Sequence, residues 1–114
     1  MANSVVKWQI ITKDPEATAK FYASVFGWTV NADNKLGYRE LKTGNGIDGG
    51  VWPSTEGQSM VQLFIGVDDI DAALAAAARL GAKTIVPKST LPDGDTIAIL
   101  LDPAGISFGL TTNR

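Results

Sequence analysis

The chain has 114 residues, ten basic against twelve acidic side chains for a net charge of −2, and neither cysteine nor histidine. This composition excludes a disulfide framework, a thiolate nucleophile, thiolate and imidazole metal sites and serine–histidine catalysis, and it offers no basic footprint for nucleic acid. Any catalysis must run on carboxylates, lysine or tyrosine, and the apolar content of 45% is that of a folded domain.

In chain order, Val6, Trp8 and Ile10 alternate with Lys7, Gln9 and Ile11, the period of a strand whose two faces meet different surroundings. Asp14 is an N-cap carboxylate, Pro15 suits the first helical position, and Glu16 complements the positive helix end. The helix that follows carries Ala17, Phe21 and Val25 as its apolar stripe, with Tyr22 and Phe26 beside them, and Gly27 stops it. Trp8, Phe21, Tyr22, Phe26 and Trp28 are assigned to the core between this helix and its strands.

Thr29 to Ala32 is a short β-prone piece, Asp33-Asn34-Lys35 a polar turn, and Gly37 to Thr43 a strand. The loop TGNGIDGG holds Gly44, Gly46, Gly49 and Gly50, where glycine permits positive φ or close backbone approach. It lacks the spacing and the lysine of a phosphate-binding loop, so it reads as a hairpin turn with a bulge. Val51-Trp52-Pro53 closes the first half, and residues 54–59 form a polar connector.

A second copy of the pattern opens at Met60. Val61, Leu63, Ile65 and Val67 alternate with Gln62, Phe64 and Gly66, Asp68-Asp69 supplies the cap, and Ile70 to Leu80 is rich in alanine and leucine. Ile70, Ala73, Leu74 and Ala77 form its buried stripe, and Gly81 ends the helix. Strands are expected at Lys83 to Pro87, Thr96 to Leu101 and Ile106 to Leu110, with turns at Leu91 to Asp95 and Asp102 to Gly105. Each half is thus strand, helix, then three strands, and a repeat this short cannot bury both faces of its sheet alone. The expected fold class is α+β: one domain, 1–114, of two βαβββ modules (1–53 and 60–114). They should form a curved half-barrel sheet with outer helices and a concave cleft.

Three segments, DPEATAKFYASVFGW, VDDIDAALAAAARLGAK and ILLDPAGISFGL, resemble signature segments of the vicinal oxygen chelate superfamily, which includes glyoxalase, bleomycin-resistance proteins and extradiol dioxygenases. GIDGGVW resembles the glycine-rich strand of small glyoxalase-like bacterial members. The resemblance covers nearly the whole chain and implies the same fold, but it names no single function, because the superfamily hosts several chemistries and plain ligand sequestration. It implies metal ligands on cleft-facing strand positions, histidine or glutamine on the first strand of each half and glutamate on the last. Those positions hold Lys7, seven before Asp14, and Gln62, seven before Asp69, then Gly109 and either Gly50 or Trp52. One neutral amide beside an ammonium cannot hold a divalent cation, so no metal and no cofactor is expected.

The cleft candidates are Lys7, Gln9, Tyr38, Glu40, Asp48, Trp52, Gln62 and Phe64. Lys7 reads either as a solvated lysine pairing with Glu40 or Asp48, or as an anion-holding or nucleophilic group. Trp52, Phe64 and Tyr38 would make an aromatic wall for a flat ligand, or else simply fill a small cleft. Gln9 and Gln62 are polar selectors or solvated strand residues. Asp14, Asp69 and Asp71 are explained as helix-start groups and Asp102 as a turn residue, which leaves Glu40, Asp48 and Glu56 for acid–base work.

The preferred expectation is a metal-free small-molecule-binding protein that takes an apolar or aromatic ligand in the concave cleft. The alternatives are a glyoxalase-like lyase or dioxygenase-type enzyme acting through Lys7 or an unrecognised metal site, and a dimeric interaction module with a closed cleft. The sequence expectation also includes a homodimer, no nucleic-acid or membrane partner, and a cytoplasmic location. The start, MANSVVKW, lacks a signal-peptide pattern, and no apolar run approaches the roughly 20 residues of a membrane span.

Overall fold

A computed structural model describes residues 3–33, 37–92 and 94–112. The predicted turn residues Asn34, Lys35 and Asp93 lie outside them. The elements follow in the order β1 (Val5–Thr12), α1 (Pro15–Phe26), β2 (Thr29–Asn31), β3 (Arg39–Lys42), β4 (Gly49–Pro53), β5 (Met60–Gly66), α2 (Ile70–Arg79), β6 (Lys83–Thr90), β7 (Thr96–Leu101) and β8 (Ser107–Thr111). The fold is therefore α+β, with one βαβββ pattern repeated. The chain divides into two compact units, Lys7–Gln62, called the first module below, and Leu63–Arg114 with Met1–Val6, called the second. The division falls inside β1 and β5, not in the connector, and a Gly66 N–H donating to the Ser4 carbonyl at 2.9 Å ties the first residues to the second unit.

Within the first module the strand order is β2-β3-β4-β1, with β1 parallel to β4 and the other pairs antiparallel. Asp14 caps α1 by accepting the Ala17 N–H at 3.1 Å, Pro15 opens the helix, and Gly27 ends it in the left-handed region at φ 75°. Buried Ala19, Leu41 and Val51 form the core, with Trp8, Ile10, Tyr22 and Trp28 packed on it. Leu41 and Val51 are fully buried, each stabilising the module by about 1.5–3 kcal/mol.

The helix sits on the sheet with a different face from the one expected. Ala19 and Tyr22 meet the strands, while Phe21, Val25 and Phe26 are 58%, 56% and 58% exposed. Successive helical residues are rotated by about 100°, so the apolar run FYASVF cannot turn all its side chains inward. The small Ala19 brings the helix close, and Tyr22 stacks on Trp28 at 5.8 Å and 10°. The core assignment thus holds for Trp8, Tyr22 and Trp28 and is corrected for Phe21 and Phe26.

The second module repeats the arrangement as β5-β8-β7-β6, with β5 parallel to β8. Asp69 caps α2 by accepting the Ala72 N–H at 3.1 Å. The expected stripe packs inward here: Ile70, Ala73, Leu74 and Ala77 lie against Val67, Ala98, Leu100 and Leu110. β6 is longer than expected, reaching Thr90 through two register shifts against β7. Irregular pairing, Pro87 and two lysines suit a strand at the end of this order. Among the described residues, no helix is long and apolar enough to cross a membrane.

Candidate functional site

Strand alternation sorts the first module's side chains into two faces. Trp8, Ile10, Leu41 and Val51 meet α1, so Lys7, Gln9 and Ile11 of β1, Glu40 of β3, and Gly50 and Trp52 of β4 lie on the opposite face. The expected parity of Lys7 and Gln9 therefore holds. Register then assembles rows across the strands. Gln9 stands beside Gly50, Gly50 beside Glu40, and Glu40 beside Asn31. Ile11 stands beside Trp52 in the next row.

Tyr38, just before β3, completes the surface. Its ring stacks on Trp52 with centroids 4.7 Å apart and planes at 29°, and it lies across Gly50. A Cβ at Gly50 would collide with the Tyr38 ring and hydroxyl. The structure thus brings together Gln9, Tyr38, Glu40 and Trp52 of the predicted residues, around a glycine. Gln9 is 6% exposed and Trp52 is half-buried. Glu40 pairs at 3.8 Å with Lys42 of its own strand.

Asp48 has a different task. Its Oδ1 accepts the Thr43 N–H at 2.8 Å and lies 3.3 Å from the Thr43 hydroxyl, which closes the loop between β3 and β4. Glu56 is exposed in the connector. Asp102, as expected, holds a turn by accepting the Ala104 and Ile106 N–H groups at 2.9 and 2.8 Å.

The counterpart surface in the second module is apolar. Ile65, Leu100 and Leu110 pack with α2, so Phe64, Gly109 and Ile99, which share one row, face away from it. Phe64 is 2% exposed, and a Cβ at Gly109 would strike its ring. Gln62, the last residue of the first module, shares the Phe64 side of β5 and is 8% exposed, with its amide nitrogen 3.8 Å from the Met60 sulfur. The sequence reading missed Ile99, and it placed Gly50 and Gly109 on this side of the strands without the rings that cover them. Ile99 could have been found by counting strand parity back from Gly109. An open depression of about 520 Å³ in the first module lies elsewhere, lined by Glu16, Lys20, Val30 and Arg39 among others, and none of the predicted site residues lines it.

The family model described as a glyoxalase-like domain matches residues 6–111. The chain belongs to this family. It is accordingly a member of the vicinal oxygen chelate superfamily, as the sequence segments implied. The glyoxylase-named protein CFP32 of Mycobacterium bovis, and its counterpart in Mycobacterium tuberculosis, are each 30% identical over 107 residues, 90% of this chain. The chain spans only 41% of the length of these curated relatives. Among solved structures, a hypothetical protein from Bacillus halodurans superposes with TM-score 0.77 at 14% identity, over 100% of this chain and 96% of that one. Methylmalonyl-CoA epimerase from Mycobacterium tuberculosis gives 0.70 at 18% identity, over 97% and 91%. These likenesses establish the fold.

The superfamily's metal can be tested against the residues that would hold it. A cation needs several anionic or imidazole donors, and the corresponding positions carry an ammonium (Lys7), an amide (Gln62) and glycine (Gly109, with Gly50 or Trp52 at the last). At both glycines the space a donor side chain would enter is taken by an aromatic ring. Among the described residues, no three carboxylates come together as a possible ligand set. The donor set does not fit a divalent ion, and no chemistry is derived through one.

Proposed function

We propose that this chain is a metal-independent small-molecule-binding protein that holds a planar apolar or aromatic ligand on the first module's face turned away from α1. The observation that carries this reading is the stacked Tyr38–Trp52 pair, seated over Gly50 and bordered by Gln9 and Glu40. Stacking holds the two rings in place, and a ligand ring laid on the outer face of the stack gains both buried area and offset-stacking energy, about 0.5–1.5 kcal/mol per aromatic pair beyond area alone. Sequestration needs only that surface and a polar border, with no reacting group.

The reading includes a homodimer, supported by the exposed Phe21, Val25 and Phe26 on α1, with sedimentation or size-exclusion analysis as its check. The lack of cysteine supports a reducing compartment such as the cytoplasm. Binding is tested by thermal melting against a panel of planar aromatic compounds, because a ligand of the native state raises its apparent stability. At least one compound should raise the melting temperature of the wild type and not that of Trp52→Ala. A panel without any stabilising compound contradicts the proposal.

A further inference from the structure

Gln9 is the residue the fold alone does not explain. It is 6% exposed, yet among the described residues no side-chain hydrogen bond to its amide is made. The caps and loop closures described above show the opposite habit, each polar side chain being engaged by backbone or neighbour. An amide with both a donor and an acceptor, removed from most of its water and left unpaired, is unfavourable unless something else supplies the partners. Its nitrogen and oxygen are not sealed, because among the described residues no fully buried side-chain N or O lacks a partner. The tip therefore stays open to an incoming molecule.

The internal repeat shows that the position does not require a polar residue. Gln9 lies beside Gly50 as Phe64 lies beside Gly109, so Phe64 is its counterpart. In the second module that residue covers the glycine with its own ring. In the first, the ring comes from Tyr38, which leaves Gln9 in the strand position next to the glycine that Tyr38 covers.

We infer that Gln9 is the specificity-determining contact of the ligand, and that the ligand is a planar ring with an adjacent donor and acceptor on one edge, as in a lactam or carboxamide. This rests on the reading that the first module binds a planar molecule. The ligand's N–H donates to the Gln9 carbonyl oxygen and its carbonyl accepts from the Gln9 amide nitrogen, while its ring stacks on Trp52.

The test compares two probes, 2-quinolone and its all-carbon counterpart naphthalene, by calorimetric titration of wild type, Gln9→Leu, Gln9→Glu and Trp52→Ala. Wild type should favour 2-quinolone. Gln9→Leu should weaken 2-quinolone by about 5–150-fold, the equivalent of two neutral hydrogen bonds, and leave naphthalene unchanged. Without ligand, Gln9→Leu should melt no lower than wild type, because no side-chain hydrogen bond to the described residues is lost. Gln9→Glu, which keeps the shape and loses the N–H donors, should also lose the preference. Equal 2-quinolone affinity in wild type and both Gln9 variants overturns the role of Gln9 while leaving the platform standing. So does a Gln9→Leu protein that melts well below wild type, since that marks Gln9 as a structural group. Naphthalene and 2-quinolone both failing to bind wild type, or both binding Trp52→Ala undiminished, overturns the platform itself and the inference with it.

Discussion

The two modules share one strand order and one helix placement, yet they use the surface opposite the helix differently. In the first, the row through Gly50 carries Gln9, Glu40 and Asn31. In the second, the row through Gly109 carries Phe64 and Ile99. The interiors differ as well, since the first packs Trp8, Tyr22 and Trp28 around Ala19, Leu41 and Val51, whereas the second is aliphatic around Leu100 and Leu110. A duplicated fold thus keeps its backbone plan while one copy holds polar and stacking groups and the other presents apolar floor. The proposed recognition of a ligand's polar edge rests on the first copy for that reason.

The largest expected effect breaks the apolar row. Phe64→Ala removes a ring that is 2% exposed and should cost about 3–5 kcal/mol in denaturant unfolding. Gly109→Ala places a methyl group against that ring and should cost about 1–3 kcal/mol alone. The cost should shrink in the Phe64→Ala background, because the two changes share one contact. An unchanged cost there would mean that the ring does not rest on the glycine.

Matched changes sharpen the likeness of the modules. Asp14→Ala and Asp69→Ala remove equivalent caps and should each cost about 1 kcal/mol. Unequal losses would show that one helix depends on its cap more than the repeat implies. The smallest effect is confined to the second module, where Lys88 pairs with Asp71 at 2.8 Å. The hydrogen bond that Lys88 donates to Asp71, then the charge of that carboxylate, raises the Lys88 amine above the ordinary 10.5. A raised lysine contributes stability that is full below pH 10.5 and fades as pH climbs through the folded value, so Asp71→Asn should flatten that alkaline limb. Both side chains are exposed, and at neutral pH the variant should melt close to wild type.

Much of this was legible in the residues. Cap, proline and glycine signals marked both helices to within a residue or two, and the alternation from Val6 to Ile11 gave the correct parity for Lys7 and Gln9. The face of α1 was not legible, because FYASVF offers more apolar residues than one helix side can bury, and the small Ala19 decided the outcome. Nor were the covered glycines. The contact of Tyr38 with Gly50 depends on cross-strand register, which a hairpin loop closed by Asp48 and Thr43 sets. Asp48 itself read as a free carboxylate, since its partner lies five residues away across a turn of the backbone and not along a helix or strand.

The central claim is that these strands accept a planar molecule and not a metal ion. It is tested most directly by melting the purified protein before and after chelation, then with magnesium, manganese, nickel and zinc added back one at a time. The melting temperature should be unmoved by the chelator and by each cation. A midpoint that falls on chelation and is restored by one of these ions would contradict the account.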